Sequence, residues 1–107
     1  MSERERRIGM NEALFRQVNE RISELSGSYE TPMLEILCEC GDIDCGDRFE
    51  IAHQAYEALR SDPTLFAVIP GHEIADVEDV VEESHQYLVV RKHAGDPAQV
   101  ARATDPR

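Results

Sequence analysis

The chain has 107 residues and a formal net charge of −11, from 22 acidic and 11 basic side chains. Its length fits one domain, and so acidic a field excludes the basic surface that nucleic acids and anionic membranes require. The longest apolar run, residues 65–69, is too short to span a bilayer, and the charged N-terminus lacks the apolar core of a signal peptide. We therefore expect a cytoplasmic protein that binds neither nucleic acids nor membranes.

An amphipathic helix is predicted near the N-terminus. Residues 1–9 are charged and are expected to be flexible, and Asn11 has the side chain of a helix N-cap. Gly27, between two serines, is expected to end the helix. Apolar residues at steps of three and four predict a stripe that packs on a sheet. This stripe comprises Leu14, Phe15, Val18, Ile22 and Leu25.

The remaining elements predict an α+β domain spanning residues 10–93, with two helices packed on a small sheet of four or five strands. Residues 77–82 can form either a helix face or a hairpin with 87–92, and their valines favour the hairpin. Residues 94–107 are expected to be a mobile tail in which "PAQVARA" can form one helical turn. The other predicted elements are strands at 33–38, 48–52 and 65–69 and a short helix at 53–60.

All three cysteines lie close together, in the pattern Cys38-x-Cys40-x4-Cys45. Residues two apart in a strand point to the same side, so Cys38 and Cys40 can converge on one ion, and Cys45 can return after a turn. Gly41 and Gly46 are expected to adopt positive φ angles that turn backbone N–H groups towards the thiolates. Thiolates are preferred ligands of Zn²⁺, so the pattern predicts a structural zinc site.

Three cysteines leave the fourth position of a tetrahedral site open. His72 is the first candidate, because it follows a predicted strand and the tight turn "IPG". His53 is the second, and an acidic residue or a water molecule is the third. Two other interpretations compete with zinc: a redox switch using a Cys38–Cys40 disulfide, and three unrelated cysteines. The Cα spacing of strand residues two apart lies near the upper limit for a disulfide, which favours the metal.

The acidic residues suggest how such a module acts. Residues 30–50 hold seven acids and one base, and residues 73–83 hold six acids and no base. Asp42, Asp44 and Asp47 are read as solvated turn residues that can also tune the metal site. No phosphate-binding loop, dinucleotide fingerprint or metalloprotease motif is present. We therefore expect a non-enzymatic zinc module that binds a basic protein partner, with a thiol-based redox or metal sensor as the alternative.

Several segments together resemble a family of short, uncharacterised bacterial proteins, mostly actinobacterial. They are "MNEALFRQVNERI", "CECGDIDC", "YEALRSDPTLFAVIPGHE", "YLVVRK" and "TDPR", which cover nearly all of the chain from Met10. The "CECG…C" and "PGHE" motifs are the most specific. The resemblance implies a metal site formed by Cys38, Cys40, Cys45 and His72, and it implies no enzymatic activity.

Overall fold

The computed structural model describes residues 2–27 and 32–107. Within these residues the chain forms three helices and five strands, so the predicted α+β class is confirmed. The prediction of one sheet is wrong, because the strands form two sheets, β1-β2 and β3-β5-β4. The elements are α1 Glu3–Ser26, β1 Met33–Leu37, β2 Arg48–Ala52, α2 His53–Arg60, β3 Leu65–Val68, β4 Glu78–Glu83, β5 Leu88–Lys92 and α3 Asp96–Ala103.

Strands β1 and β2 form an antiparallel hairpin with alternating burial. Ile36 lies opposite Phe49, and Leu34 lies opposite Ile51, all four with buried side chains. Alternate residues of a strand face the same side, so these four make one apolar face of the hairpin. The hairpin is closed by residues 38–47, which contain the three cysteines.

The second sheet has β5 in its centre, paired with β3 on one side and β4 on the other. The β4–β5 pairing is antiparallel, so the predicted hairpin is confirmed over the helical alternative. Val90 and Val68 have no exposed surface, whereas β4 is exposed along most of its length. The two sheets are joined where the Glu39 N–H donates to the Ala67 carbonyl oxygen at 2.9 Å.

Helix α1 begins earlier than predicted. Residues 1–9 were expected to be flexible, but the helix starts at Glu3, and the Ser2 hydroxyl caps it by accepting the Glu5 N–H at 3.0 Å. A serine followed three positions later by an acidic residue is a signal for the start of a helix. Here this signal outweighs the many charged residues from which a flexible N-terminus was predicted. Asn11 is therefore not the N-cap, and its side-chain amide instead donates to the Gly41 carbonyl oxygen at 2.8 Å. Gly27 follows the last helical residue, as predicted.

The predicted apolar stripe of α1 is only partly buried. Phe15 is buried and Ile22 packs against the core, but Leu14, Val18 and Leu25 are exposed. The helix buries a face rich in polar side chains, which pair with groups on other elements. The buried residues of α1 are Ile8, Glu12, Phe15, Arg16, Asn19, Glu20 and Ser23. Hydrophobic periodicity predicts the wrong face here because the polar partners come from distant parts of the chain.

Five buried charged side chains lie in contact with groups of opposite charge. The Lys92 ammonium lies 3.0 Å from Glu12 Oε2 and 2.9 Å from Glu78 Oε1. The Arg60 guanidinium donates to Glu39 Oε1 at 3.1 Å. Buried charges need partners of opposite sign, so the first group holds α1 and β4 on β5, and the second holds α2 on the segment that follows β1. We refer to these five side chains as the ionic core.

Residues 94–107 were expected to be a mobile tail, but they include helix α3. Ala98 and Ala101 bury one face of it, and a Cβ added at Gly9 would lie 2.7 Å from Val100 Cγ1. Small residues therefore allow α1 and α3 to approach closely. After α3, the Arg107 side chain donates to Glu20 Oε1 at 2.8 Å. This long-range packing has no local signal in the sequence.

Candidate metal centre

Cys38 and Cys40 follow directly after β1, and both side chains are buried. The Cys38 N–H donates to the Asp47 carbonyl oxygen at 2.9 Å, which extends the β1–β2 pairing by one step. The Cys45 N–H donates to the Asp42 carbonyl oxygen at 3.0 Å, which folds the loop back as a turn. Cys45 is thereby brought back towards the strand end, as predicted, and is half-buried.

The cysteine loop has a conformation that differs from the prediction at its glycines. Positive φ angles occur at Gly27, Gly71 and Gly95 among the described residues, so the expectation for Gly41 and Gly46 is wrong. Gly41 is required for space, because a Cβ there would lie 2.7 Å from Ile8 Cγ2. A large side chain at this position would push the loop away from α1.

Asp42, Asp44 and Asp47 are exposed, as expected for solvated turn residues. The Asp42 carboxylate accepts the Asp44 N–H at 2.9 Å and stabilises the turn. Asp47 Oδ2 lies 3.7 Å from His72 Nε2. A carboxylate at this position can orient an imidazole whose other nitrogen binds a metal.

A tight turn after β3 positions His72. The His72 N–H donates to the Ile69 carbonyl oxygen at 2.9 Å, with Pro70 and Gly71 as the central residues. Gly71 has φ +93°, and a proline followed by a residue with positive φ is typical of a type II turn. The turn brings His72 Nδ1 to 3.5 Å from Cys38 Sγ and 3.6 Å from Cys45 Sγ.

Four ligand atoms meet at this point. One atom from each of Cys38, Cys40, Cys45 and His72 lies within 4.8 Å of the others, so the four residues are close enough to bind a metal ion. In tetrahedral zinc, bond lengths of about 2.3 Å to sulfur and 2.0 Å to nitrogen place a sulfur and a nitrogen about 3.5 Å apart. Both sulfur–Nδ1 distances equal that separation within about 0.1 Å.

The second candidate for the fourth ligand, His53, lies elsewhere. Its Nε2 is 2.9 Å from Ser23 Oγ, in a buried contact between α1 and α2. His93 contacts Asp79 at 3.1 Å on the surface. Among the described residues, the histidine that joins the three cysteines is His72.

Backbone donors surround the sulfur atoms. The Ile69 N–H donates to Cys38 Sγ at 3.2 Å. Cys40 accepts from the backbone of Asp42, and Cys45 accepts from the backbone of Asp47. Each sulfur therefore has one backbone hydrogen bond, and such bonds favour the thiolate over the thiol.

The protonation of the cysteines is strongly linked. The Cys38 thiol donates to the Cys40 sulfur, and this hydrogen bond lowers the pKa of Cys40 to about 5 and raises the pKa of Cys38. Burial raises the pKa of Cys45. Without a cation the cluster therefore favours a thiolate at Cys40 and thiols at Cys38 and Cys45. A divalent cation would lower the pKa of all three.

Glu39 makes buried contacts behind the cysteines that the sequence did not reveal. It lies between two cysteines, yet it points away from them and is fully buried. Its carboxylate accepts from Asn19 at 2.9 Å and from the Ala67 N–H at 3.1 Å, besides Arg60. In the sequence, Glu39 looks like any other acidic residue of the segment 30–50. Alternation of side chains along the extended chain points it away from Cys38 and Cys40.

The centre lies at the protein surface on one side. A depression of about 310 Å³ adjoins Cys40 and His72, with Asp42 and Glu73 on its rim. The His72 side chain is 30% exposed. The site therefore has a buried side, formed by Cys38 and Cys40, and a side open to solvent.

Comparisons with protein-family models, with curated proteins and with solved structures found no match. No helix in the part of the chain that the structure describes is long and apolar enough to cross a membrane.

Proposed function

We propose that the chain is a non-enzymatic zinc module in which Cys38, Cys40, Cys45 and His72 bind one Zn²⁺. The observation that carries this proposal is the pair of sulfur–Nδ1 distances, 3.5 and 3.6 Å, which fit a tetrahedral zinc ion. Three thiolates and an imidazole are a soft donor set that suits zinc better than magnesium or calcium. Four protein ligands leave no position for a catalytic water, which favours a structural role.

The ion would join segments that are distant in sequence. Cys38 and Cys40 extend β1 of the first sheet, and His72 follows β3 of the second sheet. A metal bound by both would hold the two sheets together. Because an unfolded chain has no preformed site, the free energy of metal binding adds to the free energy of folding.

The module would act by binding a protein partner with a basic surface. Strand β4 lies at one edge of its sheet, and it carries Asp79, Glu82 and Glu83 on its exposed length. Asp42, Asp44 and Asp47, which lie between Cys40 and β2, are exposed as well. Surfaces of this charge attract basic partners and repel nucleic acid.

The experiment is metal analysis of the purified chain and two variants, Cys45→Ser and His72→Ala. The wild type should contain one zinc per chain, and both variants should lose zinc and melt at a lower temperature. His85→Ala is the matched control, because His85 lies outside the four-residue cluster and is exposed. Retention of stoichiometric zinc and an unchanged melting temperature in His72→Ala would refute the proposed ligand set.

A redox sensor is the second candidate, favoured by the closeness of the Cys38 and Cys40 sulfurs, which lie within 4.8 Å of each other, and by the half-buried Cys45. Hydrogen peroxide would take two electrons from the Cys38 and Cys40 thiolates, which would form a disulfide and release zinc, while the peroxide would become water. Zinc release by peroxide that a dithiol reverses would support this function. Zinc release that a dithiol does not reverse, or no zinc release at all, would exclude the sensor and favour the structural role.

A further inference from the structure

A depression of about 200 Å³ lies where helix α2 meets strands of both sheets, and we call it the α2 pocket. Ala55 and Ala58, three residues apart on one face of α2, contribute small side chains that leave the space open. Leu65 and Val89 contribute larger apolar side chains from β3 and β5. Pockets for whole small molecules have roughly 300–1,000 Å³, so this one suits a single side chain.

The α2 pocket contains one charged residue, Glu82. Glu82 on β4 pairs with Val89 on β5, and cross-strand partners present their side chains on the same face of a sheet. Within the part of the chain that the structure describes, the Glu82 carboxylate has no hydrogen bond and no ion pair. Arg91, two residues further along β5, is held by Asp62 at 3.5 Å. The pocket therefore offers an unpaired negative charge beside apolar walls.

Tyr87 adds an aromatic ring to the pocket. The ring is half-buried and stacks on the buried Phe49, with ring centroids 5.4 Å apart and an interplanar angle of 25°. This contact restrains the position of the ring. The face of an aromatic ring carries partial negative charge and attracts cations. The pocket thus combines apolar walls with two groups that attract a positive charge.

These features match the side chain of lysine. Its four-carbon stem can lie along apolar walls while its ammonium group contacts a carboxylate. The ammonium is a compact charge that needs only one acidic partner, whereas the flat guanidinium of arginine is best bound by paired oxygen atoms. The net charge of −11 also attracts a basic occupant to this pocket.

We propose that the α2 pocket receives one lysine side chain of a basic protein partner. The methylene groups of that lysine lie against Ala58 and Val89, and its ammonium contacts the Glu82 carboxylate and the Tyr87 ring. The existence of such a partner rests on the proposed function, which this inference deepens by naming the residues that recognise it. The α2 pocket shares no residue with the candidate metal centre, so the two sites can be tested separately.

The test is a titration of the purified full chain, with its zinc content measured, using Nα-acetyl-lysine methylamide as the probe. Backbone amide chemical shifts in NMR report the binding. The dissociation constant should be about 1 mM, as expected for a ligand of this size, with the largest shifts at Ala58, Glu82 and Val89. The Nε-acetylated probe, which has lost its charge, should bind at least about tenfold more weakly. Tighter binding of Nα-acetyl-arginine methylamide would overturn the assignment to lysine.

Two variants test the two properties of the pocket. Glu82→Gln should weaken binding of the lysine probe about tenfold. Glu83→Gln is the matched control, because it removes the same charge from a neighbouring residue that points to the other face of β4. Ala58→Leu should abolish binding by filling the pocket without changing its charge. Ala103→Leu is its control, since both alanines are exposed helix residues and Ala103 lies outside the pocket.

The amide spectrum of each variant should show the wild-type fold. Equal weakening by Glu82→Gln and Glu83→Gln would mean that the probe senses only the general negative charge, and it would overturn the proposal. Undiminished binding by Ala58→Leu, or no binding by the wild type, would overturn it as well. A wild type that contains zinc but does not bind the probe would refute the pocket alone. A wild type that binds the probe but contains no zinc would refute the zinc module alone.

Discussion

Two groups of polar side chains hold this fold together, and they differ in what they need. The proposed metal centre would join the two sheets through three sulfurs and an imidazole, and it would require a cation from solution. The ionic core joins α1 and β4 to β5, and α2 to the segment after β1, through buried carboxylates and basic groups that the chain itself supplies. The first would depend on the supply of metal, whereas the second needs no group from outside the chain.

The two groups also respond to pH in opposite directions. Zinc binding requires deprotonated thiols, so the metal centre is stabilised as pH rises. In the ionic core, two carboxylates share one ammonium, and burial raises the pKa of Glu12 to about 8. The ionic core is therefore weakened as pH rises. Breaking each group in turn measures how much each contributes to the free energy of unfolding.

Removal of the metal should have the largest effect. A strong zinc chelator should lower the free energy of unfolding by about 5 kcal/mol or more, because metal binding to such sites is worth more than the net stability of most small domains. Circular dichroism and thermal melting would measure it. Addition of zinc in excess of the chelator should restore the melt, and a melt unaffected by the chelator would contradict a structural role for the metal.

Replacement of Arg60 by methionine should have the next largest effect. It leaves Glu39 buried without its guanidinium partner, and such a loss costs about 3–5 kcal/mol. Urea unfolding at saturating zinc would measure it. Arg48→Met is the control, because the Arg48–Glu35 pair is exposed and should contribute less than about 1 kcal/mol. Equal losses in the free energy of unfolding would show that the buried Arg60–Glu39 pair contributes no more than the exposed Arg48–Glu35 pair.

Replacement of Gly71 by alanine should have an intermediate effect. Its φ of +93° is unfavourable for any residue with a Cβ, and the cost is about 1–2 kcal/mol. Because this turn aims His72, zinc affinity should fall about tenfold, as a competition with a chromophoric chelator would measure. Gly46→Ala is the matched control, since Gly46 has no positive φ and open space around it. A comparable loss in both variants would mean that the turn does not position the ligand.

Replacement of Glu12 by glutamine should change how the free energy of unfolding depends on pH. Burial raises the pKa of Glu12 from the ordinary glutamate value of 4.5 to about 8 in the fold. Between these values the folded chain holds a proton that the unfolded chain releases, so stability falls as pH rises, by up to about 1.4 kcal/mol per pH unit. The variant should lose this slope in urea unfolding at fixed zinc. An identical slope in both proteins would contradict the raised pKa.

The sequence predicted the strands and the metal cluster well because both depend on short-range order. Alternation sets the buried faces of β1 and β2, and the turn before His72 is encoded by Pro70 and Gly71. The cysteines identified the site by their chemistry alone. The sequence already favoured His72 over His53, but it could not place His53 elsewhere, because Ser23 and His53 meet only through the packing of α1 on α2.

Helix α1 was predicted poorly because its burial depends on partners far away in sequence. Arg16 is buried because the carbonyl oxygens of Pro63 and Ala101 accept its hydrogen bonds. Nothing near Arg16 in the sequence indicates these acceptors. The exposed Leu14 and Val18 were wrongly predicted to pack on the sheet for the same reason, since periodicity alone does not show which apolar residues the fold buries.

The most direct test of the central claim is X-ray absorption at the zinc edge of the protein as purified. We predict a first shell of three sulfur atoms at about 2.3 Å and one nitrogen atom at about 2.0 Å. A shell made only of nitrogen and oxygen, a shell of four sulfurs, or the absence of bound zinc would contradict the assignment of Cys38, Cys40, Cys45 and His72 as its ligands.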